Sequence, residues 1–194
     1  MLNDQYWSER YEKSQTGWDV GNVSPSLKEY FDQLTDKSVA ILIPGCGNAY
    51  EAEYLLQQGF TDITLIDISG VLVQNLQEKL KNFINKGVCR VMHQDFFEHA
   101  GTYNLIVEQT FFCAIDPILR HSYAQKMSEL LKPSGRLVGL LFGSEFVGGP
   151  PFGGTKEEYI PYFSPYFDLK IIEKCANSIP SRAENELFIN FLSK

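Results

Sequence analysis

Residues 39–51, VAILIPGCGNAYE, decide the fold. Val39, Ala40, Ile41, Leu42 and Ile43 carry no charge and the run stops at Pro44, as a strand buried on both faces of a parallel sheet does. Gly45 and Gly47 follow where the backbone has to turn sharply and approach something closely. From Asn48 onward, Ala49, Ala52, Leu55 and Leu56 recur at helical spacing, and Gly59 is placed to cap the end. A second apolar run, Ile63 to Ile66, ends at Asp67. That is about 20 positions beyond the glycine turn, where α/β nucleotide-binding units present a carboxylate to ribose hydroxyls. Two strand ends therefore converge on one crevice.

The rest of the composition sets limits. With 194 residues, 44% of them hydrophobic, the chain can bury a sizeable core and reads as a single domain, 1–194. A net charge of −7 and the lack of any long Lys/Arg run argue against nucleic acid as a partner. No stretch approaches the roughly 18 consecutive apolar residues of a membrane span, and the polar start MLNDQYWSER has no signal-peptide core. Cys46, Cys89, Cys113 and Cys175 form no C-x-x-C pair, and His93, His99 and His121 show no ligand spacing, so neither a metal site nor a disulfide framework is expected. Reduced thiols suit a cytoplasmic protein. The expected partner is a small molecule, and the expected working unit is a monomer.

Taken in order, Asp4 to Lys13 reads as a helix carrying Tyr6, Trp7, Arg10 and Tyr11, followed by a loop with TGWDVG at 16–21 and a short helix over 26–34. Residues 1–34 form an aromatic lid in which Trp7, Tyr11 and Trp18 can offer ring faces to a flat or cationic ligand. Residues 35–142 form the cofactor-binding core. Within it, Ser69 caps a helix carrying Val71, Leu72, Leu76, Leu80, Phe83 and Ile84 up to Gly87. Val88 to His93 is a third strand, followed at the crevice by Gln94, Asp95 and Phe96; Tyr103 to Glu108 is a fourth. Asp116-Pro117 starts a helix through Leu131, Lys132 to Gly135 stops it, and Arg136 to Phe142 is a fifth strand. Residues 143–194 supply a loop, GSEFVGGPPFGGT, placed to cover the crevice, a short helix over 155–163, and two closing strands, 169–175 and 186–192, read as antiparallel. The fold class is α/β: a doubly wound, mostly parallel seven-stranded sheet with an antiparallel closing strand.

A dinucleotide fingerprint requires a third glycine where this chain has Tyr50, which disfavours NAD. GWDVG (17–21), IPGCGNAYE (43–51), LIDIS (65–69), QDFF (94–97), TFFCAIDP (110–117), LKPSG (131–135) and GGPPF (148–152) occur in this order along nearly the whole chain. Together they resemble the thiopurine methyltransferase family, and more closely its halide and thiol methyltransferase branch, whose members have the Rossmann-like class I fold. The resemblance implies S-adenosylmethionine as cofactor. It places Trp7, Tyr11 and Trp18 among the aromatic contacts, although the family usually has Trp at Tyr11. It puts Gly45 and Gly47 at the methionine-side turn, Asp67 on the ribose, Asp95 on the adenine amino group and Phe96 against the adenine ring. Glu108 and Gln109, beside the transfer site, stand where the branch commonly has Asp-Tyr.

Methyl transfer from a sulfonium is an in-line displacement, and anionic sulfur or halide nucleophiles need no general base. No general base is therefore expected, which leaves the catalytic residues open, and no metal is expected. Phe111 and Phe152 are expected to line the acceptor pocket, with Arg182 steering an anion such as a thiolate, bisulfide, thiocyanate or halide. The alternatives are a larger aromatic thiol as acceptor, a cofactor-binding protein without turnover, and an NAD dehydrogenase.

Overall fold

The apolar run of residues 39–44 lies inside a seven-stranded sheet in a computed structural model that describes residues 2–194. The strands are β1 (Ile41–Pro44), β2 (Ile63–Asp67), β3 (Cys89–His93), β4 (Tyr103–Gln109), β5 (Leu131–Phe142), β6 (Phe167–Lys174) and β7 (Glu186–Ser193). Their order across the sheet is β3-β2-β1-β4-β5-β7-β6. Strands β1 to β5 pair in parallel, and β7 runs antiparallel to both its neighbours, so β6 at the edge points the same way as β1 to β5.

Both faces of β1 are covered, which is why its residues are apolar without alternation. Ile41 and Ile43 face one core with α2 (Pro25–Asp32), α3 (Tyr50–Gln57) and α4 (Gly70–Lys79). Leu42 faces the other, with α6 (Arg120–Glu129) and α7 (Lys156–Phe163). The first helix, α1 (Asp4–Glu12), is capped by the Asn3 side chain, which accepts from Tyr6 N. Among the described residues no helix is long and apolar enough to cross a membrane.

Three local expectations change. The helix read over 69–87 breaks at Leu80, continuing as α5 (Lys81–Asn85), and the break lets Phe83 and Ile84 pack back on the core. The helix read from Asp116 begins as a 3-10 turn, Pro117–Leu119. Lys132 to Gly135 does not precede β5 but bulges from it: Tyr103 pairs with Leu131, and the register resumes at Leu105 with Arg136. The two closing strands pair antiparallel to each other, as read, and of the two only β7 runs against β1 to β5.

Chain order reverses between β1 and β4, and the crevice at the carboxyl ends of these strands is where open α/β sheets bind ligands.

Candidate active site

A cavity of about 1080 Å³ opens at that crevice, between the ends of β1, β2, β4 and β5 and the segments that cross over them. Its size exceeds that of a typical single-ligand pocket. Trp7, Tyr11, Trp18, Gly45, Gly47, Asp67, Asp95, Phe96, Gln109, Phe111, Phe152 and Arg182 all line it. Glu108 does not.

The glycine turn is dictated by its neighbours. Gly45 has φ +54°, and a Cβ there would lie 2.3 Å from Cδ2 of Phe111, so both backbone angle and space exclude a side chain. Gly47 and Ala49 also adopt left-handed angles, which delays α3 to Tyr50 rather than Asn48. Gly47 N donates to Asp67 Oδ2 at 3.4 Å, and Ser69 N donates to Asp67 Oδ1 at 2.9 Å. Burial pushes the Asp67 carboxyl up to about 6 against these N–H bonds.

The lid is fastened at three points. Trp7 and Tyr11 both meet Trp18 edge to face, with centroids 5.5 and 6.0 Å apart. Asp4 accepts from Gly70 N at 3.0 Å and Ser8 Oγ at 2.6 Å, and its other oxygen lies 3.2 Å from His93 Nε2, which ties α1 to the start of α4. Asp19 accepts from Gly21 N at 2.7 Å, from Tyr50 OH at 3.2 Å and from Asn48 Nδ2, which binds the loop to the glycine turn. The position that disfavoured NAD thus holds the lid. Sequence reasoning quoted GWDVG for Trp18 and passed over Asp19.

At the third strand end, Asp95 caps a 3-10 turn by accepting from Phe97 N at 2.8 Å. Phe96 is only 4% exposed and packs on Phe97, Phe111 and Tyr123, so most of its ring belongs to the core, and Phe97 is the more open of the two. Gln94, which also lines the cavity, accepts through Oε1 from His99 Nδ1 at 2.8 Å. His99 is buried against Tyr103 OH at 2.8 Å, and desolvation lowers its pKa, so the neutral ring donates to Gln94. Nothing in the spacing of Gln94 and His99 announces this pair.

On the β4 and β5 side the structure corrects two expectations. Glu108 is fully buried and turned away from the cavity: Oε1 accepts from Phe111 N at 2.8 Å and Phe112 N at 3.0 Å, and Oε2 accepts from Tyr123 OH. Its carboxylate fastens a turn in which Thr110 has φ +60°, an uncommon angle for a β-branched residue. Desolvation raises its carboxyl to about 7. Arg182, expected to be available to an anion, is instead buried and paired with Glu186 at 3.2 Å, and donates to the Trp18 carbonyl at 2.5 Å. Gln109 points into the cavity wall with a buried Oε1 that finds no partner among the described residues. Cys113 also lines the cavity, and burial pushes its thiol up to about 12, so it is neutral.

Residues 2–189 match the family described as Thiopurine S-methyltransferase (TPMT). The chain belongs to this family. It is an S-adenosylmethionine-dependent methyltransferase. The methyltransferase is 33% identical over 156 residues to probable thiol methyltransferase 2 of Arabidopsis thaliana, covering 79% of this chain and 69% of that one. It is 28% identical over 184 residues to thiocyanate methyltransferase 1 of the same plant, covering 93% and 81%. Among solved structures, the 1,6-didemethyltoxoflavin-N1-methyltransferase of Burkholderia thailandensis superimposes with a TM-score of 0.76 at 16% identity, covering 98% of this chain and 87% of that one, a likeness of fold. The cavity of this methyltransferase fits its cofactor: acceptors for hydroxyl and amine donors lie at Asp67, Asp95 and the orphaned Gln109 Oε1, and the aromatic side chains of Trp7 and Trp18 share the lining.

Proposed function

We propose that the enzyme methylates the sulfur of a small thiol or of bisulfide, with thiocyanate and halide as related soft anions. When bound, S-adenosylmethionine supplies a methyl group carried on a sulfonium. Asp67 accepts hydrogen bonds from ribose hydroxyls and Asp95 from the adenine amino group, with Phe96 and Phe97 against the ring. Trp7, Tyr11 and Trp18 turn ring faces toward the cation. Phe111 and Phe152 form the acceptor wall. Residues 1–34 thus act as lid, 35–142 as cofactor cradle and 143–194 as acceptor cover.

The observation that carries this reading is the chemistry of the acceptor side. Its lining is aromatic, Phe111, Phe142, Phe146 and Phe152, and no histidine lines the cavity among the described residues. Arg182 is already neutralised by Glu186. Such a wall excludes water, holds a polarisable sulfur and offers no histidine base to a neutral alcohol. A nucleophile that arrives ionised needs none. A larger aromatic thiol is the second reading, favoured by the exposed apolar side chains of Ile118 and Phe146 in the lining.

The test is product analysis with S-adenosylmethionine and, separately, bisulfide, thiocyanate, iodide, a small alkyl thiol and thiophenol. Methylated sulfur product with matching S-adenosylhomocysteine, absent with Asp67→Ala, is expected. Cofactor binding without product in any tube would defeat the reading. With all four cysteines free and buried, the enzyme is read as working in the reducing cytoplasm.

A further inference from the structure

Arg120 is the most deeply buried cation in the molecule, 2% exposed, and no part of the cofactor cradle requires it. It stands at the start of α6 between the two walls of the acceptor side. One wall is the turn 110–113, and the Arg120 guanidinium lies over the ring of Phe112 at 4.9 Å. The other is the end of the glycine- and proline-rich loop, where Nη2 donates to the carbonyls of Phe152 at 3.1 Å and Gly153 at 2.8 Å. Nη1 pairs with Glu158 Oε1 at 2.8 Å. The loop has one further direct tie to the turn, Phe152 N donating to Cys113 O at 2.7 Å. Residues 145–149 between these ties and β5 are exposed and carry no regular structure. A buried guanidinium that bridges two backbone carbonyls fixes their position far more tightly than a flexible loop could by itself.

We infer that Arg120 is a positioning residue that sets the gap between Phe111 and Phe152, and with it the size of acceptor the enzyme prefers. The substrate part rests on the thiol reading above; the effect on the loop does not. Arg120→Lys keeps a charge opposite Glu158 but cannot span both carbonyls. Loosening the wall costs a small nucleophile its alignment, whereas a bulky one fills the wider gap. In Arg120→Lys, KM for bisulfide is expected to rise roughly tenfold, KM for thiophenol to change by less than about threefold, and the cofactor Kd to stay constant. Chymotryptic cleavage after the exposed Phe146 should accelerate relative to cleavage at the buried Phe163 of α7.

A purely structural role would lower the yield of active enzyme and leave the ratio of the two acceptors alone. Equal losses with both thiols, or an unchanged ratio of the two cleavages, would overturn the inference. Should Arg120→Lys fail to fold, Arg120→Met combined with Glu158→Leu removes both charges together and still lacks the clamp, and the same shifts are expected. If neither thiol is turned over by the wild type, the thiol reading falls and the cleavage ratio alone decides on Arg120.

Discussion

The two halves of the cavity are built by different means. On the cofactor side, the ends of β1, β2 and β3 hold polar side chains through hydrogen bonds from backbone amides: Asp67 accepts from Gly47 and Ser69, and Asp95 from Phe97. On the acceptor side, buried charged side chains are held by other side chains as well as by backbone: Arg120 by Glu158 and two carbonyls, Arg182 by Glu186, and Glu108 by Tyr123 and two amides. The first arrangement survives any change that spares the strand ends. The second depends on every partner being present, so the acceptor side carries the larger stability penalties and the cofactor side the larger binding ones.

The largest effect falls on Arg182. Arg182→Met leaves Glu186 charged, buried and alone, and should lower stability by about 3–5 kcal/mol. Denaturant unfolding reads this directly. Arg182→Met with Glu186→Leu should recover most of the loss. A single variant as stable as wild type, but with a raised KM for an anionic acceptor, would restore Arg182 to a steering role.

Next comes Glu108→Ala, which orphans the amides of Phe111 and Phe112 and the Tyr123 hydroxyl, for a loss of about 3 kcal/mol. Glu108→Gln should cost less and should also change the pH profile. Because burial raises the Glu108 carboxyl to about 7, the folded chain holds this proton more tightly than the unfolded chain does. The contribution of Glu108 to stability is full below the unfolded carboxylate range and declines as pH rises from there through about 7. Thermal melts across that window should lose this decline in Glu108→Gln.

Asp67 behaves in the same sense for stability and the opposite sense for binding. Its carboxyl, raised to about 6, makes the free enzyme more stable as pH falls toward 4, whereas the ribose hydrogen bonds proposed for it are stronger to the ionised form. Cofactor affinity should therefore weaken as pH falls through about 6. Asp67→Asn should bind with about 1.5–3 kcal/mol less free energy at neutral pH and show no such pH dependence by calorimetry. A variant that bound as well as wild type would break the division between the two halves.

That division also explains what could be read beforehand. The glycine turn, Asp67 and Asp95 were legible as cavity lining because each position is written within a few residues: a strand run, a turn and a carboxylate at its end. Glu108 and Arg182 were placed at the right segments and given the wrong surroundings, since the direction of a side chain at a strand end depends on what packs around it. Tyr123, fifteen positions on from Glu108, decides that the carboxylate faces the core. Arg120 left no signal at all, because its partners at Phe152 and Glu158 are brought near only by the fold. The break at Leu80 was hidden for a related reason: the apolar spacing continues through it, and only packing shows that the axis changes.

The smallest effect is the most informative about the lid. Trp7 and Tyr11 both rest edge-on against Trp18, and α1 is fastened independently through Asp4, so Trp7→Leu should leave the lid docked. A ring face near a sulfonium contributes about 0.5–2 kcal/mol, and only while the sulfur carries its charge. Trp7→Leu should therefore weaken S-adenosylmethionine by roughly that amount and S-adenosylhomocysteine, an uncharged thioether, much less; Trp7→Phe should fall between. Equal weakening of both ligands would mean that Trp7 serves as a cover over the cavity and that the cation is stabilised elsewhere, with Trp18 the next ring to replace.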